Sequence, residues 1–271
     1  MSIVKIPWAS QQNQYLITGP MTGPKSYIPH SHSGGEIYLH ISGDVEYIVE
    51  DVIYQPKPYD LIIAREQEMH YLNCKSSVFE RIVIEISDCF FLHQQRELYR
   101  AIFCKPGTGY GNLIPAATVK SMGIYNAVIR AVHYLQDKDP AASVAVLSTL
   151  AELIFLIHKA GNADTGSFVA SETVREIIAY LNRNITASIS LDDIANYFYI
   201  SKPHLCRIFK INTGLTIHAY ITNRRISLVE QLVLQDEKSF SQACRDAGFG
   251  SYSNFYKAYV KKPENPRVKS F

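Results

Sequence analysis

The chain has 271 residues and a formal net charge of only +2, and 47% of its residues are hydrophobic. This length allows two domains, each with its own core, and the composition is typical of a soluble globular protein rather than a disordered one. The N-terminus has no signal-peptide pattern, and the five cysteines form no CxxC pair. These features favour a cytoplasmic protein over a secreted disulfide scaffold or a zinc finger.

The small net charge hides an uneven distribution along the chain. Residues 171–271 carry 14 Lys and Arg against 9 Asp and Glu, a net charge of +5. Residues 1–170 carry 13 against 16, a net charge of −3. A basic part joined to an acidic part suggests that only the C-terminal part meets a polyanion.

Residues 1–88 have the pattern of a small β-domain. Runs such as EIYLHIS, DVEYIVED and FERIVIEI are short, rich in β-branched and aromatic residues, and separated by turn signals. Several short strands at this spacing predict a barrel or a sandwich.

A cluster of candidate ligands begins in the stretch HSHSGGEIYLHISG, residues 30–43. His30 and His32 lie two residues apart in extended chain, so both side chains point to one face. The spacing His-x-His, three residues, Glu36, six residues, Gly43 resembles the first motif of the cupin barrel. His70 occupies the fourth ligand place of a partial second motif.

The cupin resemblance implies that residues 1–88 form a cupin-like β-barrel that senses a ligand, and it leaves three roles open for the cluster. The side chains of His30, His32, Glu36 and His70 suit a divalent transition metal such as Mn, Fe, Ni or Zn. The same four residues, together with Tyr38, could instead bind a hydroxyl-rich effector such as a carbohydrate. In the third role they only hydrogen-bond within the fold.

From residue 89 to residue 160 the apolar spacing becomes helical. The run AASVAVLSTLAELIFLIHKAG is apolar almost all round, which predicts a helix buried on two sides. Either both faces pack within their own domain, or one face packs against a second subunit; we favour the second, a homodimer contact. The most apolar part, residues 144–157, is too short to span a bilayer, and no membrane contact is expected. The small and polar residues 161–170 predict a linker.

Residues 171–271 contain two similar segments, each with a short helix, a tight turn and a second helix capped by serine. FYISKPHLCRIFK aligns with GFGSYSNFYKAYVK, so that Ser201 pairs with Ser251 and Arg207 with Lys257. This layout, near residues 190–212 and 239–262, predicts two helix-turn-helix units. The helix between them, of about 18 residues, would span ~27 Å, which lets both second helices reach successive major grooves of one DNA duplex.

At these residues the chain resembles the AraC/XylS family of transcription regulators, whose pattern runs through IANYFYISKPHLCRIFKINTG and ACRDAGFGSYSNFYKAYVKK. One departure is KKPENP, which lacks the Gly that usually precedes the Pro after the second reading helix. The resemblance implies a two-domain α+β chain: a cupin-like β-barrel with a helical extension, then an all-α domain with two helix-turn-helix units. Its implied partners are double-stranded promoter DNA, a small-molecule effector and RNA polymerase.

The outward-facing residues of the two reading helices are the candidate DNA contacts. Arg207 can bond the O6 and N7 acceptors of guanine with both ends of its guanidinium, whereas Lys202 and Lys210 suit phosphates. The second helix is poorer in bidentate donors, so the first should read most of the base sequence. The predicted DNA-binding residues are Lys202, Pro203, Cys206, Arg207, Lys210, Tyr252, Ser253, Tyr256 and Lys257.

The favoured hypothesis is a one-component transcription regulator with no enzymatic activity and no required cofactor. A rival is a cupin metal enzyme, a dioxygenase or an isomerase, or a metal sensor, with a DNA-binding domain attached. A third hypothesis is a DNA-binding protein whose barrel has lost its ligand and serves only to dimerise. The rival predicts full metal occupancy and, for an enzyme, turnover, whereas a screen for effectors separates the first hypothesis from the third.

Overall fold

The structure is a computed structural model, and it describes residues 2–4, 16–18, 20–22, 29–32, 34–87, 91–104, 109–137, 139–161, 167–169, 171–234 and 238–261. An N-terminal domain of two antiparallel sheets and four helices is followed by a C-terminal domain of six helices. The predicted α+β two-domain class is confirmed.

Two sheets face each other in the N-terminal domain. One has seven strands in the order β1-β2-β9-β4-β7-β10, with β3 also paired to β9, and the other has four in the order β11-β6-β5-β8. The strands are β1 (Ser2–Val4), β2 (Leu16–Thr18), β3 (Pro20–Thr22), β4 (Gly35–Ser42), β5 (Val45–Val49), β6 (Val52–Tyr54), β7 (Leu61–Ala64), β8 (His70–Cys74), β9 (Val78–Ile86), β10 (Leu113–Ile114) and β11 (Ser167–Val169).

Strand β4 is buried on both faces because the sheet lies between two cores. Successive strand residues point to opposite sides. Ile37 and Leu39 therefore pack in the core shared with the helices, while Tyr38 points into the space between the sheets. This double burial explains why residues 35–40 are all buried, including the polar residues Glu36 and His40, rather than alternating between buried and exposed.

The helices of the N-terminal domain cover the outer face of the larger sheet. They are α1 (His93–Phe103), α2 (Ala116–Ser121), α3 (Ile124–Gln136) and α4 (Ala142–Ala160). The region 89–160, expected to be helical, also contains strand β10, which pairs with β7. Gly123, with φ of 74°, separates α2 from α3 in the left-handed conformation that glycine adopts most readily.

Helix α4 has 19 residues and is long and apolar enough, by length and composition, to cross a membrane. The helix extends beyond the apolar run of residues 144–157, and that run by itself is too short to span a bilayer. Within the described residues, one side of α4 is buried in the core shared with α1 and α3, as in the core helix of a globular domain. The buried residues of α4 are Val146, Thr149, Leu150, Leu153, Ile154 and Ile157.

Part of the segment predicted as a linker is a strand. Ser167–Val169 forms β11, which pairs antiparallel with β6 at the edge of the smaller sheet. The prediction for residues 161–170 therefore needs correction, because an exposed sheet edge offers backbone groups that a short β-prone run such as Ser-Phe-Val can pair with.

The C-terminal domain contains the two predicted helix-turn-helix units. Side-chain oxygens of Ser171, Ser190, Ser201 and Ser239 each accept a hydrogen bond from a backbone N–H in the first turn of a helix, as the sequence predicts. The helices are α5 (Glu172–Arg183), α6 (Leu191–Tyr197), α7 (Lys202–Thr213), α8 (Ile217–Leu234), α9 (Phe240–Asp246) and α10 (Tyr252–Lys261).

Candidate DNA-binding surface and buried histidine cluster

The first helix-turn-helix unit is formed by α6 and α7. Leu205 and Phe209 of α7 are fully buried in the core of this unit, and Ile208 is half-buried. The opposite face of α7 is exposed, because residues three and four apart share a helix face. All five predicted DNA contacts on this helix are exposed, namely Lys202, Pro203, Cys206, Arg207 and Lys210.

His204 also lies on this exposed face, and the sequence analysis missed it. Its Nδ1 accepts a hydrogen bond from the Arg207 guanidinium at 3.2 Å. The i, i+3 spacing of the two residues was the available signal. Lys202, predicted to meet a phosphate, makes an ion pair with Asp192 at 2.8 Å, so a phosphate would compete with that carboxylate.

The second unit is formed by α9 and α10. Phe255 is buried at 3% exposure in a small core with Ala243 and Cys244, while Tyr259 is half-buried. The four predicted DNA contacts of this helix, Tyr252, Ser253, Tyr256 and Lys257, are exposed. Helix α10 ends at Lys261, and the rest of the KKPENP departure lies outside the described residues.

Helix α8 joins the two units, and Arg225 ties them together. Its guanidinium donates to the carbonyl oxygens of Ile185 and Ala187 at 2.8 and 2.6 Å. It also donates to the carbonyl oxygen of Gly248 at 2.8 Å. Residues 185–187 precede the first unit, and Gly248 lies in the turn of the second. One planar guanidinium therefore fixes the two reading units relative to each other.

A buried cluster of His30, His32, Glu36 and His70 lies at one end of the barrel. One candidate ligand atom from each residue lies within 4.8 Å of the others. His32 Nε2 and His70 Nε2 are each 3.5 Å from Glu36 Oε2, and neither makes a well-formed hydrogen bond. The structure thus brings together the four residues that the spacing singled out.

Neighbouring groups orient the cluster. His32 Nδ1 is 2.7 Å from the Gly34 carbonyl oxygen, and His70 Nδ1 is 2.8 Å from that of Glu68. A carbonyl can only accept, so each Nδ1 carries a proton, which directs Nε2 towards Glu36. The Tyr47 hydroxyl donates to Glu36 Oε1 at 2.7 Å and leaves Oε2 facing the histidines.

Electrostatic interactions inside the cluster favour an ionised Glu36 carboxylate beside a protonated His70 imidazole. Burial alone would raise the pKa of Glu36, but the charge of His70 and the contacts with both histidines hold this pKa well below its ordinary value. Burial lowers the pKa of His70, and the Glu36 carboxylate outweighs it and raises the pKa above its ordinary value. A metal ion at this place would compete with the proton that the Glu36 carboxylate stabilises on His70.

Tyr38, predicted as an effector-binding residue, is not part of the cluster. It follows Glu36 on the same face of β4 but lies one layer deeper, fully buried among the aromatic rings of the barrel. Its hydroxyl is 3.2 Å from His40 Nδ1, and its ring centroid is 4.7 Å from that of Tyr47. Tyr38 therefore packs against Tyr47, and its part in effector binding stays a prediction.

Comparison with known proteins shows what these features resemble. A family model described as a helix-turn-helix domain matches residues 194–263. The uncharacterized HTH-type transcriptional regulator YfiF of Bacillus subtilis (strain 168) is 20% identical over 242 residues, which cover 85% of this chain and 74% of that protein. The HTH-type transcriptional activator RhaS of Mannheimia succiniciproducens is 22% identical over 249 residues, covering 91% of this chain and 90% of RhaS. The crystal structure of ToxT from Vibrio cholerae is similar with a TM-score of 0.40 and 15% identity, over 92% of this chain and 94% of ToxT.

Proposed function

We propose that the chain is a DNA-binding transcription regulator of the AraC/XylS type, and that an effector bound in its N-terminal barrel controls how it binds promoter DNA. The observation that carries the proposal is the presence, in one chain, of two reading helices with exposed polar faces and of a buried ligand cluster in a separate domain. One domain has the means to bind DNA, and the other has the means to detect a ligand.

In the DNA-bound state the two reading helices would make different contacts with the bases and the phosphates. Arg207 reads a guanine through two hydrogen bonds, and His204 orients its guanidinium. Lys202, Lys210 and Lys257 meet phosphates, which supply affinity without sequence preference. Tyr252 and Tyr256, whose rings stack at 6.1 Å, offer apolar contacts and hydroxyl donors on the second helix.

The effector we propose is a divalent transition metal ion rather than a sugar. Two imidazole Nε2 atoms and one carboxylate oxygen already converge, and backbone carbonyls hold both imidazoles in the tautomer that metal ligands use. His30 completes a set of three imidazoles and one carboxylate, which suits Mn, Fe, Ni or Zn. A sugar would have to separate buried side chains whose ligand atoms lie within 4.8 Å of one another. When bound, the ion would supply charge neutralisation and a cross-link between the chain segments that carry its ligands.

The rival functions make different demands on the same cluster. A dioxygenase or an isomerase needs an open coordination position for its substrate, and it would show turnover when loaded with metal. The similar proteins are transcription regulators, so we propose that the chain has no enzymatic activity. A barrel that only dimerises would have no reason to keep oriented ligand atoms.

Two further partners follow from the same proposal. Val144 and Phe155 on the outer face of α4 are exposed at 67% and 49%, and they fit a homodimer contact along this helix. A regulator of this kind acts on promoters, so a contact with RNA polymerase and a cytoplasmic location accompany the function.

The test combines metal analysis with DNA selection. Full-length protein without a His tag is analysed by elemental mass spectrometry, and its binding site is selected from random duplexes with and without a chelator. We expect about one transition metal ion per chain, lost in His70→Ala, and a selected DNA whose affinity changes when the chelator is added. Metal-free protein whose DNA affinity responds to a sugar would overturn the metal assignment. Selection of no duplex would contradict DNA recognition itself.

A further inference from the structure

The wall of the barrel that carries the histidines is also the wall that contacts the DNA-binding domain. His30 and His32 lie on one short extended segment and His70 on another, and the backbones of His30 and His70 pair at 3.1 and 2.8 Å. Since side chains alternate in extended chain, the neighbours of the inward-facing histidines point the other way. Those neighbours are residues 29, 31, 69 and 71, and they face the C-terminal domain.

Each of these neighbours has a partner in the first helix-turn-helix unit or in α8. The Ser31 hydroxyl is 2.7 Å from that of Ser227 on α8, and both side chains are fully buried. Met69, at 4% exposure, belongs to the hydrophobic core of the first unit. Pro29 and Tyr71 flank Gly214 at the end of α7: a Cβ there would lie 3.3 Å from Pro29 Cγ and 3.6 Å from the Tyr71 hydroxyl.

Glu50, in the turn between β5 and β6, joins the histidine wall to α8. Its backbone N–H donates to the Met69 carbonyl oxygen at 2.7 Å, and its Oε1 accepts from the Met69 N–H at 3.0 Å. Its Oε2 accepts from the Tyr220 hydroxyl at 2.8 Å, and Arg224 lies 3.9 Å from Oε1. Glu50 thus links the residue before His70 directly to the helix between the two DNA-reading units.

The contact on the α8 side is a polar stripe. Tyr220, Arg224, Ser227 and Gln231 lie four, three and four residues apart, which is the spacing of one helix face. Gln231 completes the contact by pairing with Gln67 of the barrel. Apart from Met69, which is apolar, this interface is formed by hydroxyls, amides, the Arg224 guanidinium and the buried Glu50 carboxylate, and polar contacts of this kind are typical of interfaces between domains that can separate.

We infer that an ion held by His30, His32, Glu36 and His70 stabilises the docking of the DNA-binding domain on the barrel, and that docking in turn strengthens ion binding. This inference rests on the proposed metal effector. In the docked arrangement the ligand atoms have already converged, and the two segments that carry the histidines also make the contacts with α7 and α8. Two events that require the same position of the same short segments are coupled, and the coupling is reciprocal.

The test measures Zn²⁺ affinity by calorimetry in a variant altered only in the DNA-binding domain. Tyr220→Phe with Ser227→Ala removes two hydroxyls from the docking stripe and leaves every candidate ligand in place. We expect its Zn²⁺ affinity to fall about tenfold, a moderate coupling. The matched control, Tyr197→Phe with Ser241→Ala, removes the same groups from exposed positions of the same domain, and its Zn²⁺ affinity should equal that of the wild type. Thermal melts confirm that both variants are folded.

A distance measurement gives an independent readout. Cys104 and Cys206 are exposed, one in each domain, and Cys74 and Cys244 are buried. With Cys89→Ser, spin labels on Cys104 and Cys206 report the separation of the domains. Zn²⁺ should narrow the distance distribution of the wild type, and the docking variant should need more Zn²⁺ for the same change.

The outcomes separate the two proposals. Absence of Zn²⁺ binding, or equal binding by His70→Ala, overturns the metal effector and with it the coupling. If His70→Ala abolishes binding but the docking variant binds as tightly as the wild type with the same distances, the metal site stands and the coupling is wrong.

Discussion

Arg225 should hold the two reading units in a fixed relative position, so that both bind one DNA duplex together. Arg225→Lys tests this without changing the charge. The guanidinium makes three hydrogen bonds to carbonyl oxygens, two of them partly buried and one exposed. A lysine amine at the same place is a single point donor and cannot bridge Ile185, Ala187 and Gly248 together. Counting about 1 kcal/mol for each partly buried bond and little for the exposed one, the variant loses about 2 kcal/mol of coupling between the units.

This loss should appear only when DNA engages both units. A coupling loss of about 2 kcal/mol corresponds to an affinity loss of about 30-fold on a duplex with both half-sites. On a duplex with only the first half-site the affinity should be unchanged, because the first unit keeps its own core. Fluorescence anisotropy with the two duplexes at one salt concentration measures both values.

A second variant tests the same junction from the side of the second helix-turn-helix unit. Gly248 has φ of 85°, and a Cβ there would lie 2.7 Å from the Thr186 carbonyl oxygen. Gly248→Ala should therefore disturb the same junction from the opposite side and weaken full-site binding in the same selective way. Equal losses on the full site and the half-site for Arg225→Lys would refute the role of Arg225 as a clamp.

Other predictions concern single contacts. Arg207→Ala should cost about 1–3 kcal/mol of DNA binding and relax specificity at one base pair; a uniform loss across all sequences would make Arg207 a phosphate contact. Lys257→Ala should weaken binding to all sequences alike and lower the salt dependence of log K by about one. Burial raises the pKa of Glu50 to about 7 from 4.5, so docking of the metal-free protein should weaken as pH rises through 7 and Glu50 loses its proton. The spin-label distance should follow that change in the wild type and not in Glu50→Gln. Phe155→Glu should dissociate the proposed dimer in sedimentation experiments, and an unchanged mass would place the dimer contact elsewhere.

The DNA-reading surface could be predicted from the sequence because its determinants are local. A serine cap, a proline in the first turn and apolar residues at Leu205 and Phe209 fix where α7 begins and which side it buries. Arg207 is exposed as a direct consequence. His204 was not among the predicted contacts, although the same helical periodicity places it beside Arg207 on the exposed face.

The four members of the histidine cluster could be predicted from the sequence, but the position of Tyr38 outside the cluster could not. The spacing of His30, His32 and Glu36 places three candidate ligands close together along the chain, while His70 arrives through the pairing of two distant segments. Alternation along β4 correctly put Tyr38 on the same side of the sheet as Glu36. Side-chain alternation gives the face of the strand but not the depth in the barrel. Tyr38 lies deeper than Glu36 and packs in the aromatic core instead of beside the histidines.

The docking contact escaped sequence analysis because it depends on three unrelated parts of the chain. Glu50 lies in a turn between strands, where a charged residue is ordinarily solvated, and nothing local indicates that Tyr220 will reach it. Helix α8 shows no single apolar stripe, since it serves two cores and a polar interface at once. Strand β11 was hidden for a similar reason, because its partner β6 lies more than a hundred residues away.

Helix α8 gives the molecule a direct connection between ligand and DNA. Its Tyr220 belongs to the core of the first reading unit, and its Val229 to the core of the second. Its polar stripe rests on the barrel wall behind the histidines, through Ser227 and Ser31. A ligand that moves this wall therefore acts on the element that sets the relation between the two reading helices. In the proposed mechanism no separate relay is required, because the candidate ligands His30 and His32 flank Ser31, which contacts α8, in the same short extended segment.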